Sequence, residues 1–262
     1  MKVLVTGAAS GIGAAIAARF AAPAQPGSDH VQLVLVDRDA AGLEQCASRL
    51  RGPACQVETV AGDLAQPDFP ARAVAVARRA FGGLDVLVSN AGISIKKRLE
   101  DFSVEEFDRT VAINLRATWL LGVAARPLLA TARGCIVATA SIGAAHPTPM
   151  SGPYSPTKAA LVMLIRQMAL EWGPEGIRAN SVSPGAVPTA LSPQRYATEE
   201  LREFARSTNP LHQIVTPGQI ADAVVFLATS VAITGTDLVI DAGRTLTTMH
   251  ASAVTAGVAA PA

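Results

Sequence analysis

The chain has 262 residues, half of them apolar and 16% charged, and its net charge is +1. So neutral a balance leaves no electrostatic footprint for nucleic acid or for an anionic membrane surface. No apolar run reaches the roughly 18 to 20 residues that cross a bilayer, and the opening Met1-Lys2-Val3-Leu4-Val5 is too short for a secretory leader. Cys46, Cys55 and Cys135 are too scattered for a disulfide framework or a zinc site. The expectation is a cytoplasmic chain without a resident metal.

Short β-branched runs alternate with longer stretches rich in alanine and leucine. The predicted strands are Lys2–Thr6, 32–36, 56–60, Val86–Ser89, 135–138, 178–182 and Asp237–Ile240. Helices are predicted over 11–22, 40–50, 71–81, 105–131, 154–173 and 217–228. Most of the strands are apolar on both faces, as parallel strands covered by helices on each side must be. Repeated β-then-α units predict an α/β fold, a doubly wound, seven-stranded parallel sheet in a single domain over 1–243. Residues 186–214, rich in proline, serine and charge, interrupt the alternation after the sixth strand, where α/β proteins often carry a lid. The tail 244–262 has little periodicity, and its last ten or so residues are expected to be poorly ordered.

The first strand runs straight into Thr6-Gly7-Ala8-Ala9-Ser10-Gly11-Ile12-Gly13 and then into a helix. Glycine at 7, 11 and 13 lets the backbone turn sharply, lets a pyrophosphate approach the main chain, and lets helix and strand pack closely. The helix start offers unpaired N–H groups and a positive dipole end to phosphates. Asp37 closes the second strand, where a carboxylate can bond the adenosine ribose hydroxyls and repel a 2′-phosphate. Ser10 supplies no positive charge for that phosphate, whereas Arg38 could tolerate it. NAD is the favoured cofactor, with NADP the alternative. Asp63-Leu64 ends the third strand and Asn90-Ala91-Gly92 the fourth, both at strand carboxyl ends where open sheets bind ligands. Either alone would be an ordinary loop start.

Tyr154 and Lys158 stand about one helical turn apart on one face, and Ser141 precedes them at the end of the fifth strand. An unperturbed phenol, with a pKa of about 10, is a poor acid–base catalyst at neutral pH. A nearby ammonium favours phenolate, and a drop of about 3 pH units corresponds to roughly 4 kcal/mol. That drop would bring the group close to working pH. Ser141 could donate a hydrogen bond to a substrate oxygen.

In this combination the sequence resembles the short-chain dehydrogenase/reductase family from Val3 to Gly243. The T-G-x-x-x-G-x-G turn matches at Thr6, Gly7, Gly11 and Gly13, with Ser10 and Ile12 inside it. N-A-G matches at Asn90, Ala91 and Gly92, and Y-x-x-x-K at Tyr154 and Lys158 with Ser141 upstream. Asn114 matches the family's fourth catalytic position. Pro184-Gly185, with Val187 and Thr189 after it, looks like the segment that touches the nicotinamide. Gly235 and Asp241-Ala242-Gly243 resemble the closing strand.

The resemblance implies a Rossmann-type fold in which Tyr154 exchanges a proton with the substrate oxygen. It implies that Lys158 holds the nicotinamide ribose and lowers the tyrosine pKa, and that Ser141 orients the substrate oxygen. Asn114 would place a water linking Lys158 to solvent, Thr189 would contact the carboxamide, and Asp63 with Leu64 the adenine. A homo-oligomer, tetramer or dimer, built through the long helices is implied as well. Ser89 and Ala242 are mild departures from the family pattern. Pro156 is tolerable only if Pro153 begins the helix and Pro156 falls in its first turn.

Other features have plainer readings. His146 and His212 are loop histidines near the expected cleft, and Lys96-Lys97-Arg98 is a basic loop that is either solvated or a recognition site for an anionic substrate. Glu105-Glu106 complements a helix dipole, and Trp119 and Trp172 read as packing or interface residues. The residues together point to an NAD(P)-dependent oxidoreductase interconverting a secondary alcohol (polyol, sugar or other hydroxy compound) and a ketone. The rivals are an NADPH-dependent 3-oxoacyl-thioester reductase and a dinucleotide-binding regulator that performs no chemistry.

Overall fold

The computed structural model describes residues 1–22, 30–189 and 196–247. Among them are the strands β1 (Lys2–Thr6), β2 (Val31–Asp37), β3 (Cys55–Ala61), β4 (Val86–Ser89), β5 (Cys135–Thr139), β6 (Arg178–Pro184) and β7 (Asp237–Ile240). They form one parallel sheet in the order β3-β2-β1-β4-β5-β6-β7. β1 is central: Leu4 is in register with Val34 of β2 on one side and Leu87 of β4 on the other. The chain reverses its direction of travel across the sheet between β1 and β4, so the loops leaving those two strands part and open a crevice.

Helices cover both faces: α1 (Gly11–Ala21), α2 (Ala40–Leu50) and α8 (Pro217–Thr229) on one, α3 (Phe69–Phe81), α5 (Ala117–Ala132) and α6 (Tyr154–Trp172) on the other. The period of two along a strand divides the core between them. Val3, Val5, Leu33, Leu35 and Val137 pack against Ile16, Leu43 and Ile220. The alternate residues Leu4, Val34, Leu87 and Ile136 pack against Val74, Leu121 and Ile165. Leu87 and Ile136 are wholly buried, so truncating either to alanine costs about 2–5 kcal/mol. No helix among the described residues is long and apolar enough to cross a membrane.

Two predicted segments differ from what forms. The single helix expected over 105–131 is α4 (Val104–Val111), a π-helical turn at Ala112–Arg116, and then α5. The wider turn accommodates one residue more than an α-turn, and such bulges gather at functional positions; Asn114 lies within this one. α4 itself starts at a capping box, in which Ser103 and Glu106 satisfy each other's backbone N–H groups. The insertion 186–214 holds a helix that had not been foreseen, α7 (Glu199–Ser207), capped by the Thr198 hydroxyl accepting from the Leu201 N–H at 3.3 Å. Part of that insertion, 190–195, and the tail 248–262 lie outside the described residues.

The start of α6 resolves the question raised by Pro156. Pro153 is the N-cap and Tyr154 the first helical residue. Pro156 therefore falls in the first turn, where backbone N–H groups have no intrahelical partner to lose.

Candidate active site

The glycine turn leaves β1 with Gly7 at φ 67° and Gly11 at φ 56°, a region that residues with a Cβ rarely enter. Gly13 serves packing instead, because a Cβ there would lie 1.9 Å from the Gly7 carbonyl oxygen. The turn is tied to the loop after β4 through Thr6 and Asn90. The Thr6 hydroxyl accepts from the Asn90 and Ala91 N–H groups at 2.9 and 3.0 Å, and Asn90 Nδ2 donates back to the Thr6 carbonyl at 3.0 Å.

Two carboxylates complete this end. Asp37 accepts from the backbone N–H groups of Ala9 at 3.0 Å and Asp39 at 3.1 Å, which aims it along the glycine turn; Arg38 is exposed beside it. Asp63 accepts from the Ala65 N–H at 2.9 Å and from Arg109 at 3.1 Å. Those bonds, with the Arg38 charge nearby, hold its carboxyl below the usual carboxylate range. Arg109 had no sequence signal, since it arrives from α4. A Cβ on Gly11 would meet the Thr189 methyl at 3.3 Å, so the loop after β6 closes over the turn.

At the other end, Tyr154 and Ser141 line the cleft together, and Ser141 Oγ accepts from the Gly143 N–H at 3.0 Å. Lys158 Nζ lies 5.8 Å from the centre of the Tyr154 ring and donates to the Thr139 carbonyl at 2.7 Å. The Thr139 hydroxyl in turn donates to Asn90 Oδ1 at 3.1 Å. A chain of bonds thus runs from Thr6 through Asn90 and Thr139 to the lysine, and Thr139 is a residue the motifs did not single out.

One expectation requires correction. The ammonium was expected to depress the tyrosine. Here burial pushes the Tyr154 phenol up, opposed by the Ser141 hydrogen bond, and burial pushes Lys158 down to about 8. Desolvation disfavours both charged forms. Asn114 is not part of the cleft wall. It is buried, its Oδ1 accepts from the Ile93 N–H at 2.8 Å, and its Nδ2 donates to the Ile93 carbonyl at 3.0 Å and to Thr157 at 3.3 Å. It braces the loop after β4, and its Oδ1 shares the surroundings of Gly92 with Lys158 Nζ: a Cβ on that glycine would meet them at 3.3 and 3.4 Å.

A single cleft of about 500 Å³ joins the two ends. Of the predicted site residues, Gly7, Ser10, Gly11, Ile12, Asp37, Arg38, Asp63 and Leu64 line it. So do Asn90, Ala91, Gly92, Ser141, Tyr154, Lys158, Pro184, Gly185, Val187 and Thr189, leaving only Gly13 and Asn114 behind the wall. Ser94, Gly62, Ser151 and Arg244 line it too and were not foreseen. Most of them follow strand carboxyl ends, and that position was the available signal.

His146 and Lys96 face the cleft, whereas His212 is not among its lining residues. Lys97 is paired with Glu106 at 2.6 Å and Arg98 with Glu100 at 3.1 Å. Trp172 is buried beneath Arg126, and Trp119 is half exposed. The combination of sharp backbone turn, close helix–strand approach at Gly13, backbone N–H groups at the start of α1 and oriented Asp37 fits a dinucleotide.

A family model described as Enoyl-(Acyl carrier protein) reductase matches residues 7–245. The chain is 37% identical to the short-chain dehydrogenase/reductase eriH of Hericium erinaceus, over 92% of this chain and 96% of that one. It is 36% identical to the L-rhamnose 1-dehydrogenase (NAD(P)(+)) of Sphingomonas sp. (strain SKA58), over 92% and 94% respectively. Among solved structures it matches the 3-ketoacyl-(acyl-carrier-protein) reductase from Brucella melitensis complexed with NADH. That match has a TM-score of 0.82 at 33% identity and covers 93% of this chain and 97% of that one. Extending over nearly the whole sheet, from the glycine turn to the residues after β7, these likenesses establish that the chain belongs to the short-chain dehydrogenase/reductase family.

Proposed function

We propose that this protein is an oxidoreductase that interconverts a secondary alcohol and a ketone with a nicotinamide dinucleotide, NAD in preference to NADP. The observation that carries the reading is that Ser141, Tyr154 and a buried Lys158 line the same cleft as the glycine turn. A protein that merely binds the dinucleotide has no use for that group of side chains. The Sphingomonas relative is named as a sugar dehydrogenase, which supports a hydroxylated substrate. The Brucella structure is named as a 3-ketoacyl reductase, which keeps a 3-oxoacyl thioester as the second reading.

Gly7, Gly11 and the start of α1 would hold the pyrophosphate, Asp37 the adenosine ribose, and Lys158 and Thr189 the nicotinamide half. When bound, the nicotinamide supplies the two-electron redox partner for the substrate carbon. Ser141 orients the substrate oxygen by a hydrogen bond. Tyr154 moves the proton at its hydroxyl, giving it to a carbonyl oxygen in reduction and, as phenolate, taking it from an alcohol in oxidation. Because burial raises the phenol's pKa, the phenolate gains population as pH rises, so oxidation is faster in the alkaline range and reduction at lower pH. Thr139 fixes the ammonium through its carbonyl, and Asn114 fixes the loop that carries Asn90-Ala91-Gly92.

Asp37 supports the NAD preference, since a carboxylate held at the end of β2 repels a 2′-phosphate. Phe107, Trp119, Val123, Met163 and Leu170 leave apolar surface on α4, α5 and α6. That surface supports assembly of identical chains through these helices, which light scattering would measure.

The test follows nicotinamide absorbance with both dinucleotides over secondary alcohols, sugars, polyols and 3-oxoacyl esters. Turnover that disappears in Tyr154→Phe while dinucleotide binding persists is the expected result. Tight binding with no turnover across the panel would favour the regulator, and absence of dinucleotide binding would defeat the reading.

A further inference from the structure

The ends of β2 and β3 form one continuous stretch of the cleft wall. Asp37 is in register with Ala61, and the Gly62 N–H donates to the Asp37 carbonyl at 2.9 Å. Asp37, Gly62 and Asp63 all line the cleft. Outward from the crevice the strands run β1, β2, β3. The glycine turn after β1 and Asp37 after β2 are the places for the pyrophosphate and the adenosine ribose. That leaves the end of β3, one strand spacing or about 4.8 Å further out, for the base.

The carboxylate at that place is held by two bonds of different origin. Asp63 Oδ1 accepts from the Ala65 N–H of its own loop at 2.9 Å, and Oδ2 accepts from Arg109 of α4 at 3.1 Å. Each carboxylate oxygen offers two lone pairs, so Asp63, with its side chain 32% exposed, keeps acceptor capacity toward the cleft. Arg116, in the π-helical turn after α4, donates to the Ala65 carbonyl at 2.7 Å. Two arginines of one helical run thus grip the loop after β3, one by its acid and one by its backbone. Arg109 itself is not among the cleft's lining residues.

We propose that Arg109 is a positioning residue for base recognition: it fixes the Asp63 carboxylate so that the site takes an adenine dinucleotide and refuses its hypoxanthine counterpart. The exocyclic amino group of adenine donates a hydrogen bond, whereas the oxo group that replaces it in hypoxanthine presents lone pairs. A fixed carboxylate accepts from the first and repels the second. Without the guanidinium, Asp63 is free to turn toward solvent and the distinction fades. The inference rests on the oxidoreductase reading, which supplies the dinucleotide, and adds a residue that acts on it only through Asp63.

Calorimetric titration gives Kd for NAD⁺ and for nicotinamide hypoxanthine dinucleotide. The wild type should bind NAD⁺ about tenfold more tightly, a ratio equivalent to about 1.4 kcal/mol. Arg109→Gln should cut the preference to about twofold, and this loss of about fivefold corresponds to about 1 kcal/mol, as a partly exposed ion pair allows. Arg109→Lys keeps the charge without the guanidinium fork and should restore part of the preference. In turnover, Arg109→Gln should raise KM for NAD⁺ more than it lowers kcat. In an Asp63→Asn background the same substitution should change the preference no further, since the shared partner is gone. Arg72→Gln, which breaks an exposed ion pair with Asp68 outside the cleft, should leave the preference intact.

A preference that survives Arg109→Gln overturns the proposal. So does equal weakening of both dinucleotides, the signature of a role in folding alone. A wild type that binds both equally overturns it and leaves the oxidoreductase reading standing, whereas binding of neither defeats both.

Discussion

Replacing Lys158 with methionine should make the protein more stable at neutral pH, although the lysine belongs to the reaction site. The side chain is 3% exposed, and burial lowers its pKa from 10.5 to about 8. At about 1.4 kcal/mol per pH unit, holding this cation in the fold costs about 3 kcal/mol. Methionine keeps most of the volume and forfeits the hydrogen bond to the Thr139 carbonyl, worth about 1 kcal/mol. The expected net gain is about 2 kcal/mol at pH 7.

The sign follows from proton counting. Below about pH 8 the lysine is charged in both folded and unfolded chains, so the full penalty is present. Between about 8 and 10.5 the unfolded chain binds more protons, and wild-type stability rises relative to the variant. Urea midpoints for both proteins, measured without dinucleotide at a series of pH values across that range, should show the variant's lead narrowing toward alkaline pH. A wild type that is already the more stable at pH 7, or a gap that does not change with pH, would refute the reasoning.

Further outcomes are expected from the cofactor end and the brace behind it. Asp37→Ser should shift the ratio of kcat/KM for NADP⁺ over NAD⁺ upward by tenfold or more, about 1.4 kcal/mol; an unchanged ratio would mean that Asp37 does not exclude the 2′-phosphate. Gly13→Ala puts a methyl 1.9 Å from a backbone oxygen, so it should cost about 1–3 kcal/mol or more. Thermal melting and fluorescence-detected dinucleotide binding should both deteriorate, and a normal Tm would contradict the close approach. Asn114→Ala strips both backbone groups of Ile93 of their partner and should cost about 2–4 kcal/mol. Its kcat should fall more than its KM rises; an undisturbed kcat would show that the brace does not reach the chemistry.

The sheet was readable because its strands are short, β-branched and apolar on both faces. β1, β4 and β7 run over the residues that the pattern indicated. The helix through Asn114 was misread because alanine and leucine periodicity carries no mark of a π-turn, and the bond its Asn114 makes to the distant Ile93 is visible only in three dimensions. α7 left a signal that went unused: Thr198 before Glu199-Glu200, followed by arginines at helical spacing. In the site, the residues named by motif nearly all reached one wall. Thr139 and Arg109 did not announce themselves, because their roles depend on pairings across the fold. The direction of the Tyr154 pKa was likewise hidden, since spacing reveals a neighbouring charge and only three dimensions reveal the loss of water around it.

The bonded series Thr6–Asn90–Thr139–Lys158 spans the carboxyl ends of β1, β4 and β5. A fragment starting at β4 would contain Ser141, Tyr154 and Lys158 and still lack the threonine at which the series begins. The first strand thus helps to fix Asn90, and through Asn90 and Thr139 the lysine, so the reactive centre is tied to the amino-terminal half of the sheet.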